Sequence, residues 1–244
     1  MEKKYIDKDF VIDATNKGET SVDIARKLGT CSATIRQFKK VNNIQNMGIQ
    51  LTEMQKQFIV GSCLGDGSIL KGKTSSHYEF ICQHGMRQYD YLLWKAEILK
   101  SLGSSSYKYI RKTPNKVTNK LYEYCLVRTK INPNLIYFRN LLYVDNKKVI
   151  QKELLQYYST FAMAVHYMDD GFSPKRNSYR LSTDCFDIKS LIIFKDFLEE
   201  TYNIKTSITK SHKMTILKES RDHFDSLIRP YVEKINCMKY KLIK

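Results

Sequence analysis

The sequence predicts a mixed α/β (α+β) fold, a duplicated αββαββα unit with pseudo-two-fold symmetry, preceded by a small all-α segment. Three observations predict it. The run Ile59-Val60-Gly61-Ser62-Cys63-Leu64-Gly65-Asp66-Gly67 is short, apolar and helix-competent, and it stops at Asp-Gly. Met163-Ala164-Val165-His166-Tyr167-Met168-Asp169-Asp170-Gly171 repeats it, so Asp66 and Asp170 fall at matching points. After each run, strand-like and helix-like segments follow in the same order, whereas the first 43 residues carry only short helical patterns.

Residues 8–17 read as a first helix, ended by Gly18. Ser21 is the expected cap of a second, Val22 to Leu28, with Ile24, Ala25 and Leu28 on one face. Gly29 supplies a turn. Ser32 is the expected cap of a third helix to about Asn42, with Ile35 and Phe38 inward and Arg36, Gln37, Lys39 and Lys40 outward. Two short helices around a glycine turn match a helix-turn-helix pattern, which places Arg36, Lys39 and Lys40 on a candidate DNA-contacting helix. A three-helix appendage without DNA contact is the alternative. The divisions are 1–43 for this module, 44–51 for a linker, and 52–148 and 149–244 for the two repeated halves.

Thr52 is the expected N-cap of the first signature helix, with Gln55 at the capping-box position. The helix runs to about Gly65, and Gly61 and Gly65 permit close approach of a partner. Strands at 68–72 and 77–84, a helix at 87–101, strands at 105–112 and 121–128 and a helix near 133–142 complete the first half. In the second, the signature helix ends at Met168, and strands near 172–175 and 179–185 follow. A helix at 187–201, strands at 204–210 and 212–218 and a helix from Arg221 to Val232 finish it. Val165-His166 removes the small residue from the second signature helix, which predicts looser helix spacing there.

Composition narrows the function. A 244-residue chain with 42% hydrophobic residues can bury a core, and its net charge of +16 favours a polyanionic partner. Residues 1–50 contribute nine basic and six acidic side chains, so most of the excess rides on the repeated halves. Alternation along the strands suits a sheet that faces DNA, because an antiparallel ribbon fits the major groove. Lys205, Ser207 and Thr209 share one side of their strand. Tyr107, Tyr109 and Arg111 share a side of theirs, opposite Lys108 and Lys112, and the alternation alone leaves open which side is buried. Lys108, Arg111, Arg180 and Lys213 complete the candidate DNA contacts on strands. Lysines also protect strand edges from aggregation.

Cys31, Cys63, Cys82, Cys125, Cys185 and Cys237 form no CxxC, so the expectation is buried thiols in a reducing compartment. No apolar run approaches membrane-spanning length and the first residues make no signal peptide, which predicts a soluble intracellular protein, cytoplasmic or organellar, with no membrane partner. The five histidines, His77, His84, His166, His212 and His223, show no HxH or HExxH spacing, which argues against a histidine–metal nuclease. His166 is expected to be a packed core residue or a group just behind the acids.

A carboxylate that closes an apolar helix avoids burial without a partner. Two at equivalent points imply side-by-side helices whose acids meet, and hard oxygen ligands suit a divalent cation such as Mg²⁺. Singly, each feature has a plain reading: Asp-Gly as a helix-to-turn junction, Asp169-Asp170 and Lys147-Lys148 as solvated surface.

Jointly, the two runs resemble the signature helices of the LAGLIDADG homing endonucleases, in the single-chain form with both halves on one polypeptide. Leu141-Leu142-Tyr143-Val144-Asp145-Asn146-Lys147-Lys148 and Met238-Lys239-Tyr240-Lys241-Leu242 are similar to segments of the yeast mitochondrial intron type of this family. The resemblance spans Leu51 to the C-terminus. It implies a DNA-binding saddle of antiparallel strands on a monomer and a site-specific double-strand DNA endonuclease leaving 3′ overhangs. It also implies Mg²⁺, with Mn²⁺ as a substitute. Asp66 and Asp170 are then the catalytic acids and metal ligands, with the carbonyls of Gly65 and Asp169 adding ligands, and Lys148 and Lys241 order the attacking water and stabilise charge. The gene would be free-standing or carried in an intron. An intron-RNA maturase and a non-cleaving regulator are the alternative functions on this scaffold. Separately, Ser21 to Gly29 resembles the helices that precede the recognition helix in resolvase-type modules.

Overall fold

The structure is a computed structural model that describes residues 6–45, 48–72, 77–111, 113–114, 117–174 and 177–243. Lys112 and Lys175, at the ends of two expected strands, the first five residues and two positions of the expected linker lie outside the described residues.

Three short helices come first: α1 (Lys8–Asn16), α2 (Ser21–Leu28) and α3 (Ser32–Val41). They enclose a small core of their own, Val11, Ala14, Ile24, Ala25 and Ile35. The caps lie one residue earlier than the sequence predicts. Thr20, not Ser21, caps α2 and forms a reciprocal box with Asp23, because Thr20 still has extended backbone and its hydroxyl reaches the third amide. Cys31, not Ser32, precedes α3, without a side-chain cap. Gly29 ends α2 in the left-handed region, at φ 60°. The segment beyond is tied down, since the Asn132 and Asn134 side-chain amides donate to the Ile49 carbonyl at 2.8 and 3.1 Å.

The first repeated half holds α4 (Glu53–Leu64), β1 (Gly67–Lys71), β2 (Tyr78–Gly85), α5 (Tyr89–Ile98), β3 (Ser105–Ile110), β4 (Glu123–Arg128) and α6 (Leu135–Leu142). Thr52 and Gln55 form the expected capping box on α4. A hairpin, β5 (Tyr143–Val144) and β6 (Lys147–Lys148), and a helical turn, α7 (Lys152–Leu155), lead into the second half. That half holds α8 (Thr160–Asp170), β7 (Gly171–Phe172), β8 (Arg180–Leu181), α9 (Ile188–Tyr202), β9 (Thr206–Ile208), β10 (Met214–Ile216) and α10 (Arg221–Val232), and it closes on a 3₁₀ segment, Asn236–Lys241. Its strands are shorter than expected, and α8 continues two residues past Met168 to include both acids.

The two four-stranded antiparallel sheets have equivalent orders, β1-β2-β4-β3 and β7-β8-β10-β9. Each packs one face on the helices in a single large core. In the first sheet, Cys125 and Val127 face that core, so Tyr124, Leu126 and Arg128 face outward. The cross-strand partners Tyr107 and Tyr109 share the outward face, which resolves the side left open by the alternation. In the second, Ile204 and Thr206 are buried while Lys205 and Ser207 are exposed.

The centre of the molecule is the α4–α8 contact. A Cβ on Gly61 would lie 2.3 Å from the Ala162 carbonyl oxygen, and one on Gly65 would lie 2.5 Å from the Asp169 Cβ. The helices therefore touch backbone to backbone at Gly61, and the looser spacing expected from Val165-His166 is corrected. Gly61 and Gly65 supply the room, and on α8 the facing residue at Gly61 is the small Ala162. Gly65 and Asp169 occupy the same position of the two repeats, so the pseudo-two-fold axis passes between them.

Candidate active site at the helix junction

Asp66 directly follows the C-cap of α4, and Asp170 is the last residue of α8. The Asp66 side chain keeps 38% of its surface exposed, and Asp170 is half-buried. Burial, followed by the charges of Asp169 and Asp170, pushes the Asp66 carboxyl up to about 7. Burial and Asp169 push Asp170 up to about 6. Asp170 thus acts on Asp66 across the axis, as helices meeting at their ends require. Desolvated carboxylates repelling each other are poised to accept a cation, since binding one relieves both penalties.

Each acid has a lysine beside it. The hairpin that carries Lys148 turns through Asp145 and Asn146, at φ 47° and 61°, a two-residue turn with both central residues left-handed. It aims the Lys148 ammonium at the carbonyls of Gly65 and Gly67, 2.9 and 3.0 Å away, on either side of Asp66. Lys241 ends the last 3₁₀ segment, held where its carbonyl accepts from the Tyr167 hydroxyl at 2.7 Å. Its ammonium donates to the carbonyls of Met168 and Asp169, the latter at 2.9 Å, just before Asp170. Burial lowers Lys241 to about 8. The structure thus brings together Asp66, Asp170, Gly65, Asp169, Lys148 and Lys241, all named from the sequence.

The Asp169 side chain has a different setting from its neighbour. It is fully buried, and the Lys95 ammonium donates to both its oxygens at 2.6 and 2.8 Å. Ser62 and Tyr91 hydroxyls each donate to it at 2.8 Å. Burial works against both charges, yet each partner holds the other ionised: Lys95 is raised and Asp169 lowered. Asp169 therefore offers the junction its carbonyl, while its carboxylate is committed to Lys95. Lys95 is the residue that sequence reasoning missed. Its signal was legible in principle, for it is the one charge within the apolar stripe Tyr91, Leu92 and Leu99 of its helix.

His84 also lies at the junction, its Nδ1 3.3 Å from the Asp66 carboxylate and its Nε2 3.4 Å from the Cys82 Sγ. Burial holds it down at about 3, so it is neutral. Cys82, His84 and Asp169 have metal-like spacing, but the Lys95 ammonium already fills that group, 3.2 Å from the Cys82 Sγ. The carboxylates of Asp66 and Asp170 are oxygen donors, which suit a hard divalent ion better than this thiol–imidazole group does. His166 is buried and neutral, bonded through Nδ1 to the Tyr158 hydroxyl at 3.0 Å, as expected for a packed core residue. Among the cysteines, Cys63, Cys82 and Cys125 are buried, but Cys31 and Cys185 are exposed, which corrects the expectation of uniformly buried thiols.

The candidate DNA contacts divide. Arg111 lies on the outward face, its guanidinium over the Tyr124 ring. Arg180, paired with Thr215, shares the outward face of the second sheet with Ser207, and Lys205, Thr209 and Lys213 border it. Lys108 points to the helix side, its ammonium 4.1 Å over the Tyr89 ring. On α3, Arg36 and Lys40 are exposed, and Lys39 is half-buried and lowered by that burial. No helix among the described residues is long and apolar enough to cross a membrane.

Comparison with known proteins agrees with this geometry. Residues 56–227 match the model of the LAGLIDADG DNA endonuclease family. The chain is 29% identical over 212 residues to the DNA endonuclease I-ChuI of Chlamydomonas applanata, covering 80% of this chain and 96% of that protein. It is 30% identical over 214 residues to the cytochrome b mRNA maturase bI2 of Saccharomyces cerevisiae, covering 82% of this chain but 49% of the maturase. The fold is similar to that of the homing endonuclease I-WcaI, solved bound to its DNA recognition sequence, with a TM-score of 0.70 at 23% identity over 85% of this chain and 91% of that one.

Proposed function

Since this chain belongs to the LAGLIDADG DNA endonuclease family, we propose that it is a site-specific, Mg²⁺-dependent endonuclease that cuts both strands of a duplex at the Asp66–Asp170 junction, with Mn²⁺ able to substitute. The observation that carries this reading is the pairing of two half-desolvated acids at the ends of touching helices, each flanked by a lysine.

Asp66 and Asp170 would hold the divalent ions, aided by the Gly65 and Asp169 carbonyls, whose second lone pairs remain available beside the lysines. Bound there, such ions supply Lewis acidity and a nucleophilic water at neutral pH. The chain's own residues do the rest. Lys148 and Lys241 fix the carbonyls around each acid and keep a positive charge where the phosphate becomes more negative. The outward sheet faces take the duplex: Tyr107, Tyr109, Arg111 and Arg128 in the first half, Arg180, Lys205, Ser207, Thr209 and Lys213 in the second. Lys108 is left out, because it points to the helices. Phosphate contacts supply affinity and these side chains supply sequence choice. Helix α3, through Arg36, Lys39 and Lys40, extends the contact beyond the two sheets. The product ends are 3′ overhangs, one active centre serves each strand, and the protein acts as a monomer.

The test is incubation with Mg²⁺ and DNA spanning the uninterrupted form of the locus that carries the coding sequence. The expected result is one double-strand cut per duplex, absent in EDTA. Retention of that duplex without a cut would support a regulator instead, and selective binding of the intron transcript would support a maturase.

A further inference from the structure

Lys95 sits where a metal ion would sit. Its ammonium has three protons and three partners: the Asp169 carboxylate at 2.6 and 2.8 Å, the Ser62 Oγ at 3.1 Å and the Cys82 Sγ at 3.2 Å. The Tyr91 ring lies below it, 4.5 Å to the centroid. Lys95 and Asp169 are both fully buried, so none of this charge is screened by solvent. The partners come from α4, β2, α5 and α8, so the ammonium joins the two halves at their axis.

The equivalent place in the other half has no charge. Sheet register pairs Gly67 with Cys82 and Gly171 with Leu181, so Leu181 stands for Cys82 and Thr183 for His84. The buried face of α9, Ser190, Leu191, Phe194 and Leu198, matches Tyr91, Leu92, Lys95 and Leu99. Phe194 thus stands for Lys95, and it packs against His166, the counterpart of Ser62, with ring centroids 5.9 Å apart. An apolar solution exists for this position, and the first half does not use it.

We propose that Lys95 is a resident cation, occupying the metal-shaped group formed by Cys82, His84 and Asp169 and locking the second half onto the first. It is a positioning residue. By holding the Asp169 carboxylate inward it fixes the register of α8 on α4, and it withholds that carboxylate from the exchangeable ions offered to Asp66 and Asp170. That last consequence rests on the proposed endonuclease reading, whereas the occupancy itself does not.

Removing one partner of a buried pair leaves the other charge stranded. Lys95→Ala in the full chain should therefore lower Tm by about 10 °C. Cd²⁺ alone should then enter the emptied place, since thiolate and imidazole favour a soft ion, recovering most of the lost Tm with one equivalent and producing a thiolate-to-Cd²⁺ absorption band. Ethylammonium chloride should also recover Tm. Lys95→Ala/Cys82→Ser should lose the band, which excludes the exposed Cys31 and Cys185 as its source. If Lys95→Ala fails to fold, the same additions are made during refolding and should restore the native far-UV spectrum. Parental stability in Lys95→Ala, or no rescue by either Cd²⁺ or ethylammonium, would overturn the proposal. These readouts involve no DNA, so they stand or fall separately from cleavage.

Discussion

Behind Asp66 lies a polar layer of His84, Cys82, Ser62 and Lys95; the matching positions behind Asp170 hold Thr183, Leu181, His166 and Phe194. The second half settles its layer with rings: Tyr158 meets Phe194 edge to face at 5.0 Å, and His166 is neutral beside them. The first settles it with an ion pair that reaches across the axis to Asp169. Duplication preserved the backbone and the acids, because strand order and helix ends are set by topology. It did not preserve what lies beneath, because a buried site has more than one way to be satisfied. A buried charge costs desolvation that aromatic packing does not, and here it supplies a contact between the halves. The helix contact is unequal in the same sense, with Gly61 on α4 facing Ala162 and Val165 at the matching point of α8.

The largest effects should test whether the two centres remain chemically equal despite this difference. Lys148→Met and Lys241→Met should each reduce double-strand cleavage by about a hundredfold while duplex retention in a mobility shift stays near parental. A loss confined to one lysine would make the lysines unequal as well.

Next in size is the packing contrast. Gly61→Ala places a methyl against the Ala162 carbonyl and should cost about 2–3 kcal/mol, read as a thermal midpoint roughly 5–10 °C lower. Val165→Ala leaves only a small void and should cost about 1 kcal/mol. Equal costs would mean that the helices can slide apart at Gly61.

The acids should differ in their pH dependence. Both have folded values raised above the unfolded one, so their ionisation destabilises the chelated protein as pH rises through about 6 for Asp170 and about 7 for Asp66. In EDTA, Asp66→Asn and Asp170→Asn should therefore raise Tm at pH 8, and the gain should vanish near pH 4, where the parental acids are protonated. The gain should be the larger for Asp66. Adding Mg²⁺ at pH 8 should stabilise the parent more than either variant.

The smallest effect concerns the N-terminal helices. Arg36→Ala and Lys40→Ala should each weaken DNA binding a few-fold and reduce the salt slope by about 1. An unchanged slope for both would make α1 to α3 an appendage without DNA contact.

Much of this was legible in the chain. Thr52 with Gln55 marked the start of α4, the two Asp-Gly stops marked the helix ends, and each strand of both sheets overlaps a strand-like segment, though β7 does so only at Phe172. Those signals are local, and local signals survive in sequence. Capping was misplaced by one residue at Ser21 and Ser32, because Thr20 and Ser21 are equally competent and only the backbone angles choose between them. The hairpin that aims Lys148 went unread, although Asp145-Asn146 is a residue pair that tolerates two left-handed conformations. The Lys95–Asp169 pair was hidden for another reason. Its members lie 74 residues apart, and a lysine on a helix or an acid beside another acid is ordinarily solvated. Only tertiary closure of the two halves reveals that each answers the other.

The most direct test of the junction is Mg²⁺-dependent linearisation of a plasmid carrying the uninterrupted host locus, comparing the parent with Asp66→Asn and Asp170→Asn. With both acids serving one shared junction, the parent should linearise the plasmid, and each variant should bind it yet fail to linearise it. Linearisation by either variant at the parental rate would contradict the account.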